Sequence, residues 1–207
     1  MKIIDINHYH PTMNQLNDIV SSLTRGEVVI IPTDTFYCAC CIPSHTDAVK
    51  LLVKLQHAID KQRPLTFLCN DISQASELMR VDTMHYRILN AVVPASITFL
   101  LPAHIVTLRR LKMKMRTAVG VRIPNHSIVK DILRACGSPL LIQSLESIDD
   151  NRELLNQIAP FISYWLKTYY GCQNQPSTII DMQQSQPKLI RAGQDIEKIQ
   201  SFIDLYH

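Results

Sequence analysis

Four consecutive β-branched apolar residues, Val28 to Ile31, constrain the fold of this chain more than any other stretch. A strand with one solvated face alternates apolar and polar residues, so an unbroken run predicts a strand that is covered on both faces. Pro32 lacks a backbone donor and ends this strand. Residues 33–35, Thr-Asp-Thr, follow at its carboxyl end, where open α/β sheets bind ligands. The same residues are also typical of an ordinary polar turn, and both interpretations stay open here.

Helical and strand patterns alternate along the rest of the chain. Apolar residues at three- and four-residue spacing predict helices over residues 13–25, 46–57, 71–78, 84–92, 126–136 and 196–202. Apolar runs bounded by proline, glycine or polar residues predict strands over 65–69, 96–101, 118–123, 140–142, 177–181 and 188–191. Residues 149–170 favour a helix. This alternation predicts one α/β layered domain with a mixed sheet.

The composition excludes several classes of protein. Of the 207 residues 46% are apolar and 19% are charged, which is typical of a globular chain with a sizeable core. No apolar run approaches the length of a membrane span, and the N-terminus lacks the layout of a signal peptide, so we expect no membrane partner and a cytoplasmic location. Six cysteines, three of them crowded at Cys38, Cys40 and Cys41, predict small core residues rather than disulfides or metal ligands.

The charge of the chain is mild, but part of it is concentrated. A net charge of +3 and a pI near 8.5 do not by themselves indicate a partner. Five cations lie within residues 109–116, namely Arg109, Arg110, Lys112, Lys114 and Arg116. If they share a face, they can neutralise several phosphates of a tRNA or a double-stranded RNA. The alternative is a solvated helix or loop.

Three polar clusters lie at the ends of predicted strands: residues 33–35, Arg122, and residues 143–144, Gln-Ser. We expect these clusters to converge on one cleft. Arg122 ends an apolar strand, and burying its charge requires an anionic partner. That partner is either a ligand or a buried carboxylate, for which Asp181 and Glu146 are the candidates.

Five motifs in order resemble those of a known family. They are Gly-Glu-Val-Val-Ile-Ile-Pro-Thr-Asp-Thr-Phe-Tyr at 26–37, Pro-Ala-Ser-Ile-Thr-Phe at 94–99, Val-Gly-Val-Arg-Ile-Pro at 119–124, Ser-Pro-Leu-Leu-Ile-Gln-Ser at 138–144, and Pro-Ser-Thr-Ile-Ile-Asp at 176–181 with Arg-Ala-Gly at 191–193. Together they are similar to the YrdC/YciO family, and closest to its YciO branch. The resemblance implies a single YrdC-like domain over residues 1–207, with a twisted mixed sheet flanked by helices and a basic concave cleft.

The YrdC side of this family resembles L-threonylcarbamoyladenylate synthases, which are nucleotidyltransferases. These enzymes join threonine, bicarbonate and ATP, release pyrophosphate, and supply the group that is added to an adenosine in tRNA. The resemblance therefore implies ATP with Mg²⁺, a nucleotide and a small amino acid as ligands, and tRNA or double-stranded RNA as a partner. It places substrate and nucleotide contacts at the following residues: Thr33, Lys54, Thr98, Arg122, Ser144, Ser177 and Arg191.

The chain departs from the family pattern at four places, one of which is Ala95-Ser96, where the family has Gly-Pro after Pro94. The Lys-x-Arg phosphate pair falls at Lys54 and Gln56, so a neutral amide replaces the arginine, and Lys61 and Arg63 are candidates to replace it. Glu146 stands where the family has an amide that can approach ATP. Residues 38–40, Cys-Ala-Cys, replace a Gly-Leu-Gly pattern. These departures favour an alternative function, a non-catalytic protein of the same fold that binds tRNA or double-stranded RNA.

Overall fold

Ten strands form one mixed sheet in the computed structural model, which describes residues 1–59, 65–111, 118–146, 148–168, 172–184 and 186–205. The strands are β1 Lys2–Ile6, β2 Val28–Ile31, β3 Tyr37–Cys41, β4 Thr66–Leu68, β5 Ile97–Pro102, β6 Ala118–Arg122, β7 Leu140–Leu145, β8 Ile162–Thr168, β9 Thr178–Asp181 and β10 Lys188–Arg191. Their order across the sheet is β1-β8-β2-β3-β7-β4-β6-β5-β9-β10.

Helices cover both faces of this sheet. They are α1 Met13–Thr24, α2 Thr46–Ile59, α3 Ile72–Ser76, α4 Thr83–Val92, α5 Ile105–Arg110, α6 Ser127–Cys136, α7 Arg152–Ile158 and α8 Glu197–Asp204. Buried residues of α2, α3, α4, α7 and α8 pack on one face and form a large core. Buried residues of α1 and α6 pack on the opposite face and form a small core. The predicted α/β class with a mixed sheet flanked by helices is confirmed.

The apolar run Val28–Ile31, which forms β2, lies inside the sheet, as predicted. All four residues of β2 are buried, with Val28 and Ile30 in the large core and Val29 and Ile31 in the small core. β2 pairs with β8 on one side and with β3 on the other. An unbroken apolar run was required because each face of this strand meets its own core.

The two halves of the sheet differ in what covers them. In the closed half, formed by β1, β8, β2 and β3, the inner strands β8, β2 and β3 send apolar side chains into both cores, whereas the edge strand β1 contributes only Ile4 and Ile6 to the small core. In the open half, formed by β4, β6, β5, β9 and β10, one face packs on the large core and the other carries polar residues, except at Leu68 of β4, which enters the small core. β7 separates the halves, because Leu140 and Ile142 belong to the small core whereas Ser144 does not.

Three strands were missed or assigned to another type by the sequence patterns. β1 and β3 were not predicted, and β8 lies inside residues 149–170, for which a helix was expected. The helical expectation holds for α7 but is wrong for β8, which pairs in parallel with both β1 and β2. Pairing on both sides overrides the local preference of this segment. Among the described residues, no helix is long and apolar enough to cross a membrane.

Candidate functional site

The open half of the sheet carries a polar cleft on the face opposite the large core. Side chains alternate between the two faces of a strand, so the neighbours of core residues point the other way. Phe67, Phe99, Val121 and Ile180 enter the large core. The cleft on the opposite face is lined by Thr35, Phe36, Thr66, Thr98, Arg122, Ile142, Ser144, Glu146, Ser177, Ile179 and Arg191.

The strand register places the cleft residues side by side. Thr66 pairs with both Gly120 and Ile142, and Thr98 pairs with Ile179. A Cβ atom on Gly120 would lie 2.6 Å from the Thr66 hydroxyl oxygen and 3.1 Å from Cγ2 of Thr98. Glycine is therefore needed at position 120, because the two threonine side chains fill the space on that face.

Arg122 lies at the centre of this arrangement and is 2% exposed. Its Nη1 donates a hydrogen bond to the Thr35 hydroxyl at 2.8 Å, and its Nη2 lies 3.4 Å from Oδ1 of Asp34. The other carboxylate oxygen of Asp34 accepts hydrogen bonds from the Ser96 hydroxyl at 2.8 Å and from the Asn125 backbone N–H at 3.4 Å. Ser96 and Asn125 thus fix one carboxylate oxygen of Asp34, and the other oxygen lies next to the Arg122 guanidinium.

The expectation that Asp181 or Glu146 pairs with Arg122 was therefore wrong. Asp181 uses Oδ1 to accept the Gln183 backbone N–H at 2.9 Å. The carboxylate beside Arg122 is Asp34, which belongs to the turn after β2. Sequence patterns could not show this pairing, because it depends on how β2 and β6 are placed in the sheet.

The pair of Arg122 and Asp34 is not fully satisfied by the protein. Nε and Nη2 of Arg122 and Oδ1 of Asp34 are buried and make no hydrogen bond within the part of the chain that the structure describes. A buried polar group without a hydrogen bond costs roughly 1–3 kcal/mol, and a charged group costs more. Beyond its ion pair with Asp34, the guanidinium thus has hydrogen-bonding capacity that the described protein atoms do not use.

A second guanidinium enters the cleft from β10. The pairing of β10 with β9 shifts between Leu189 and Arg191, so Leu189 packs against the large core whereas Arg191 lines the cleft. Nε and Nη2 of Arg191 donate to the Ser177 carbonyl at 3.1 and 2.9 Å. The Ser177 hydroxyl lies 3.0 Å from that of Thr98. Two arginines thus face a row of hydroxyl groups.

Gly193 fixes the distance between this arginine and Ser177. A Cβ atom at position 193 would lie 2.3 Å from the Pro176 carbonyl oxygen and 2.7 Å from that of Ser177. The Gly193 N–H donates to the Thr178 hydroxyl at 3.0 Å. The Arg-Ala-Gly motif therefore ends in glycine because two backbone segments meet there.

The turn after β2 contributes Thr35 to the cleft rather than Thr33. The Thr33 hydroxyl donates to the Phe36 carbonyl at 2.6 Å and lies 3.1 Å from the Thr35 hydroxyl. Thr33 is fully buried behind Thr35 and does not line the cleft. It supports the Thr35 hydroxyl that Arg122 contacts.

Ser144 lines the cleft beside a cysteine. Its hydroxyl lies 3.8 Å from the Cys38 sulfur, and the two residues pair across β3 and β7. Burial raises the pKa of the Cys38 thiol, so the sulfur stays protonated at neutral pH. The cleft has a volume of about 50 Å³, enough for one carboxylate or phosphoryl group but not for a whole nucleotide.

Other residues singled out in the sequence lie elsewhere. Lys54 is exposed on α2 and does not line the cleft, and Gln56 is 2% exposed. Lys61 and Arg63 lie outside the described residues. Of the basic run, Arg109 is exposed at the end of α5. The Arg110 side chain and the residues Lys112, Lys114 and Arg116 lie outside the described part.

Three polar cleft residues were missing from the substrate and nucleotide contacts that the resemblance implied: Thr35, Thr66 and Glu146. Thr66 carried a usable signal, because it alternates with Phe67 in a short strand as Thr98 alternates with Phe99. Thr35 shares a turn with Thr33, and only the structure shows which hydroxyl is presented. Glu146 was identified from the sequence only as a candidate partner of Arg122 and as an acid where the family has an amide, and the structure places it in the lining of the cleft.

The family of the chain follows from comparison with known proteins. The family model Sua5_yciO_yrdC, described as "Telomere recombination", matches residues 21–193, and the chain belongs to this family. An uncharacterized protein of Haemophilus influenzae is 28% identical over 195 residues, covering 91% of this chain and 93% of its own length. The uncharacterized protein YciO of Escherichia coli K12 is 26% identical over 190 residues, covering 89% and 91%.

Enzymes of the family are also similar to this chain. A threonylcarbamoyl-AMP synthase of Neisseria gonorrhoeae is 30% identical over 170 residues, covering 77% of this chain and 86% of its own length. The crystal structure of E. coli YciO matches with a TM-score of 0.80 at 25% identity, covering 93% of this chain and 94% of YciO. P. abyssi Sua5 complexed with L-threonine matches with a TM-score of 0.80 at 21% identity, covering 98% and 61%, which shows the shared fold.

Proposed function

We propose that the protein makes L-threonylcarbamoyladenylate from ATP, threonine and bicarbonate, as a step in tRNA modification. One observation carries the proposal: a buried guanidinium, Arg122, lines a cleft of hydroxyl groups and retains two nitrogens without hydrogen bonds within the described chain. The similarity to threonylcarbamoyl-AMP synthases, at 30% identity for the Neisseria enzyme, supports this choice of substrates.

The proposed chemistry needs positive charge and alignment rather than a protein nucleophile. The threonine amine and bicarbonate form a carbamate with loss of water. A carbamate oxygen then attacks the α-phosphorus of ATP, an O–P bond forms, and the bond to the β-phosphate breaks to release pyrophosphate. Because the carbamate and the triphosphate are both anionic, fixed cations lower the barrier.

Arg122 and Arg191 supply that charge from two sides of the cleft. Hydroxyl groups at Thr35, Thr98 and Ser144 orient the anionic groups between them. Since the cleft holds about 50 Å³, it accommodates the reacting carboxylate or phosphoryl group, and the rest of the nucleotide lies at its mouth.

ATP enters as its Mg²⁺ complex. Mg²⁺ is usually held by one or two carboxylates together with substrate phosphates. Glu146 is the carboxylate that lines this cleft, so the donor set fits a Mg²⁺ that is carried mainly by the nucleotide. The ion would neutralise phosphate charge that Glu146 alone would repel.

Pyrophosphate release by the purified protein tests this reaction. With ATP, threonine, bicarbonate and Mg²⁺ present, we expect release that requires threonine and bicarbonate and that falls at least tenfold in Arg122→Lys, which keeps the charge but loses the planar fork. Arg87→Gln, an exposed charge removal on α4, is the matched control and should release pyrophosphate like the wild type. No threonine-dependent release above the Arg122→Lys level would reject the synthase.

A second candidate is RNA binding without catalysis. It is favoured by Lys54, which is exposed and away from the cleft, and by Glu146, which lines the cleft. In that case the basic run from Arg109 to Arg116 binds tRNA or double-stranded RNA through its phosphates. Affinity for tRNA should fall steeply with added salt, and Arg109→Glu should weaken it, whereas Lys188→Glu on β10 should not. Equal affinity in both variants would reject this surface.

A further inference from the structure

A second cavity, of about 670 Å³, lies at the carboxyl ends of β4 and β6 and shares no lining residue with the cleft. These two strands are parallel neighbours, and Leu68 pairs with Arg122 near their ends. After β4 the chain enters α3, whose buried residue packs in the large core. After β6 it enters α6, which packs in the small core on the opposite face. Adjacent parallel strands whose helices leave to opposite faces open a crevice, and open α/β sheets bind ligands in such crevices.

One wall of this cavity is apolar. Val81, Val93, Pro94 and Ile123 line it together with the ring of Tyr86. Tyr86 is 52% exposed, although an aromatic ring gains more from apolar contact than most side chains. The wall therefore presents a surface on which a flat or aliphatic group can pack.

The facing wall is basic. Lys130 and Arg134 are four residues apart on α6, so they lie on one side of the helix, and both line the cavity. Within the described chain Arg134 makes no hydrogen bond or ion pair. Lys130 has a single long contact, from Nζ to Oδ1 of Asn125 at 3.4 Å. Both cations are available to a ligand.

Asp71 also lines the cavity, and both of its carboxylate oxygens accept hydrogen bonds from neighbouring residues. Asp71 uses Oδ1 to accept the Gln74 backbone N–H at 2.9 Å, and its Oδ2 accepts from the Asn70 amide at 3.1 Å. These contacts cap α3. With two cations and one carboxylate in its lining, the cavity has a net positive charge.

We infer that this cavity binds a small organic anion with an apolar body. The anionic group lies between Lys130 and Arg134, and the body packs on Tyr86 and Ile123. The volume falls in the range of small-molecule sites, about 300–1,000 Å³, which also combine an apolar lining with a few polar groups. A nucleotide phosphate and an acyl carboxylate share this chemistry. The inference does not depend on the proposed synthase reaction.

Fluorescence titration with 1-anilinonaphthalene-8-sulfonate tests the site, because this probe joins a sulfonate to fused rings. We expect its dissociation constant to rise roughly tenfold in Lys130→Gln/Arg134→Gln. Arg152→Gln/Lys188→Gln removes the same charge from exposed positions outside the cavity and should bind the probe like the wild type. Equal affinity in the two double variants would overturn the proposal.

Two further measurements separate the walls and the ligand sources. Tyr86→Ala, at a half-exposed position, should weaken the probe several-fold, and unchanged affinity would contradict the assigned apolar wall. Displacement of the probe by AMP but not by adenosine indicates a nucleotide, and displacement by decanoate indicates an acyl carboxylate. If neither AMP nor decanoate displaces the probe, the assignment of a nucleotide phosphate or an acyl carboxylate to this cavity is overturned.

Discussion

The closed and open halves of the sheet use the same strand geometry for different purposes. In the closed half, β2 buries Val28 and Ile30 on one face and Val29 and Ile31 on the other. In the open half, β6 buries Val119 and Val121 on one face but presents Gly120 and Arg122 on the other. The alternation of side chains is identical, and only the covering differs.

This difference shows where stability and binding reside. Apolar burial contributes about 25 cal/mol for each Å² removed from water, and β8, β2 and β3 of the closed half gain it on both faces. A buried ion pair adds little stability, because desolvation offsets the attraction between the charges. The Asp34–Arg122 pair therefore contributes less to stability than the apolar contacts of the closed half, and under the proposed function its value lies in binding an anion.

The largest effect is expected when the buried pair is broken. Asp34→Ala leaves the Arg122 charge without its counter-ion and should lower the free energy of unfolding by about 3–5 kcal/mol, measured by urea denaturation. The double variant Asp34→Leu/Arg122→Met removes both charges and should regain at least half of that loss. If the double variant is as unstable as Asp34→Ala, the pair stabilises the fold directly and the contrast fails.

A comparable loss in the closed half should leave the cleft unaffected. Ile31→Ala at the fully buried end of β2 creates a cavity and should cost about 2–5 kcal/mol. Pyrophosphate release per folded molecule should equal that of the wild type. A fall in release greater than about tenfold at a temperature where the variant is folded would show that the closed half also shapes the site.

Two glycines allow a matched test of cleft geometry. Gly120→Ala places a methyl group 2.6 Å from the Thr66 hydroxyl oxygen and should cost about 1–3 kcal/mol while also weakening ligand binding. Gly137→Ala, at φ +60° with nothing within 4 Å of the new methyl group, should cost about 1–2 kcal/mol through backbone strain alone. Thermal unfolding and ligand titration of both variants separate the two causes. Weaker binding in Gly137→Ala would contradict this separation.

The smallest expected effect is on the pH dependence of unfolding, through Glu27, the residue that precedes β2. Hydrogen bonds from Arg25 and Ser22 lower the pKa of Glu27 from 4.5 to about 2. A lowered pKa means that this contact stabilises the fold above pH 4.5 and that its contribution is lost as the pH falls towards 2. Glu27→Gln should therefore flatten the pH dependence of unfolding in that window. An identical pH profile in the two proteins would show that the contact contributes nothing measurable.

Local patterns predicted most of the fold. The sequence pattern alone predicts the strands β2, β5, β6, β7, β9 and β10 and the periodic helices. In each of these segments the spacing of the apolar residues indicates which face is buried. β3 was missed because its cysteines and alanine resemble a small-residue turn. β8 was missed because its strand state depends on pairing with β1 and β2, which are distant in sequence.

Part of the site was also predictable from the sequence, because several of its residues belong to recognisable motifs. Arg122, Ser144, Ser177, Thr98 and Arg191 were identified from motifs, and the structure places all five around one cleft. The partner of Arg122 could not be identified, because Asp34 reaches it only through the order of strands in the sheet. The motif also indicated a phosphate contact at Lys54, but this side chain is exposed on α2 and does not line the cleft.

Calorimetric titration of ATP with Mg²⁺ tests the central claim, that the guanidinium of Arg122 binds an anion in the open half. The wild type should bind the nucleotide, and Asp34→Leu/Arg122→Met, with circular dichroism showing an intact fold, should bind it roughly 10- to 100-fold more weakly. Equal affinities in the two proteins, or no binding by the wild type, would contradict the account.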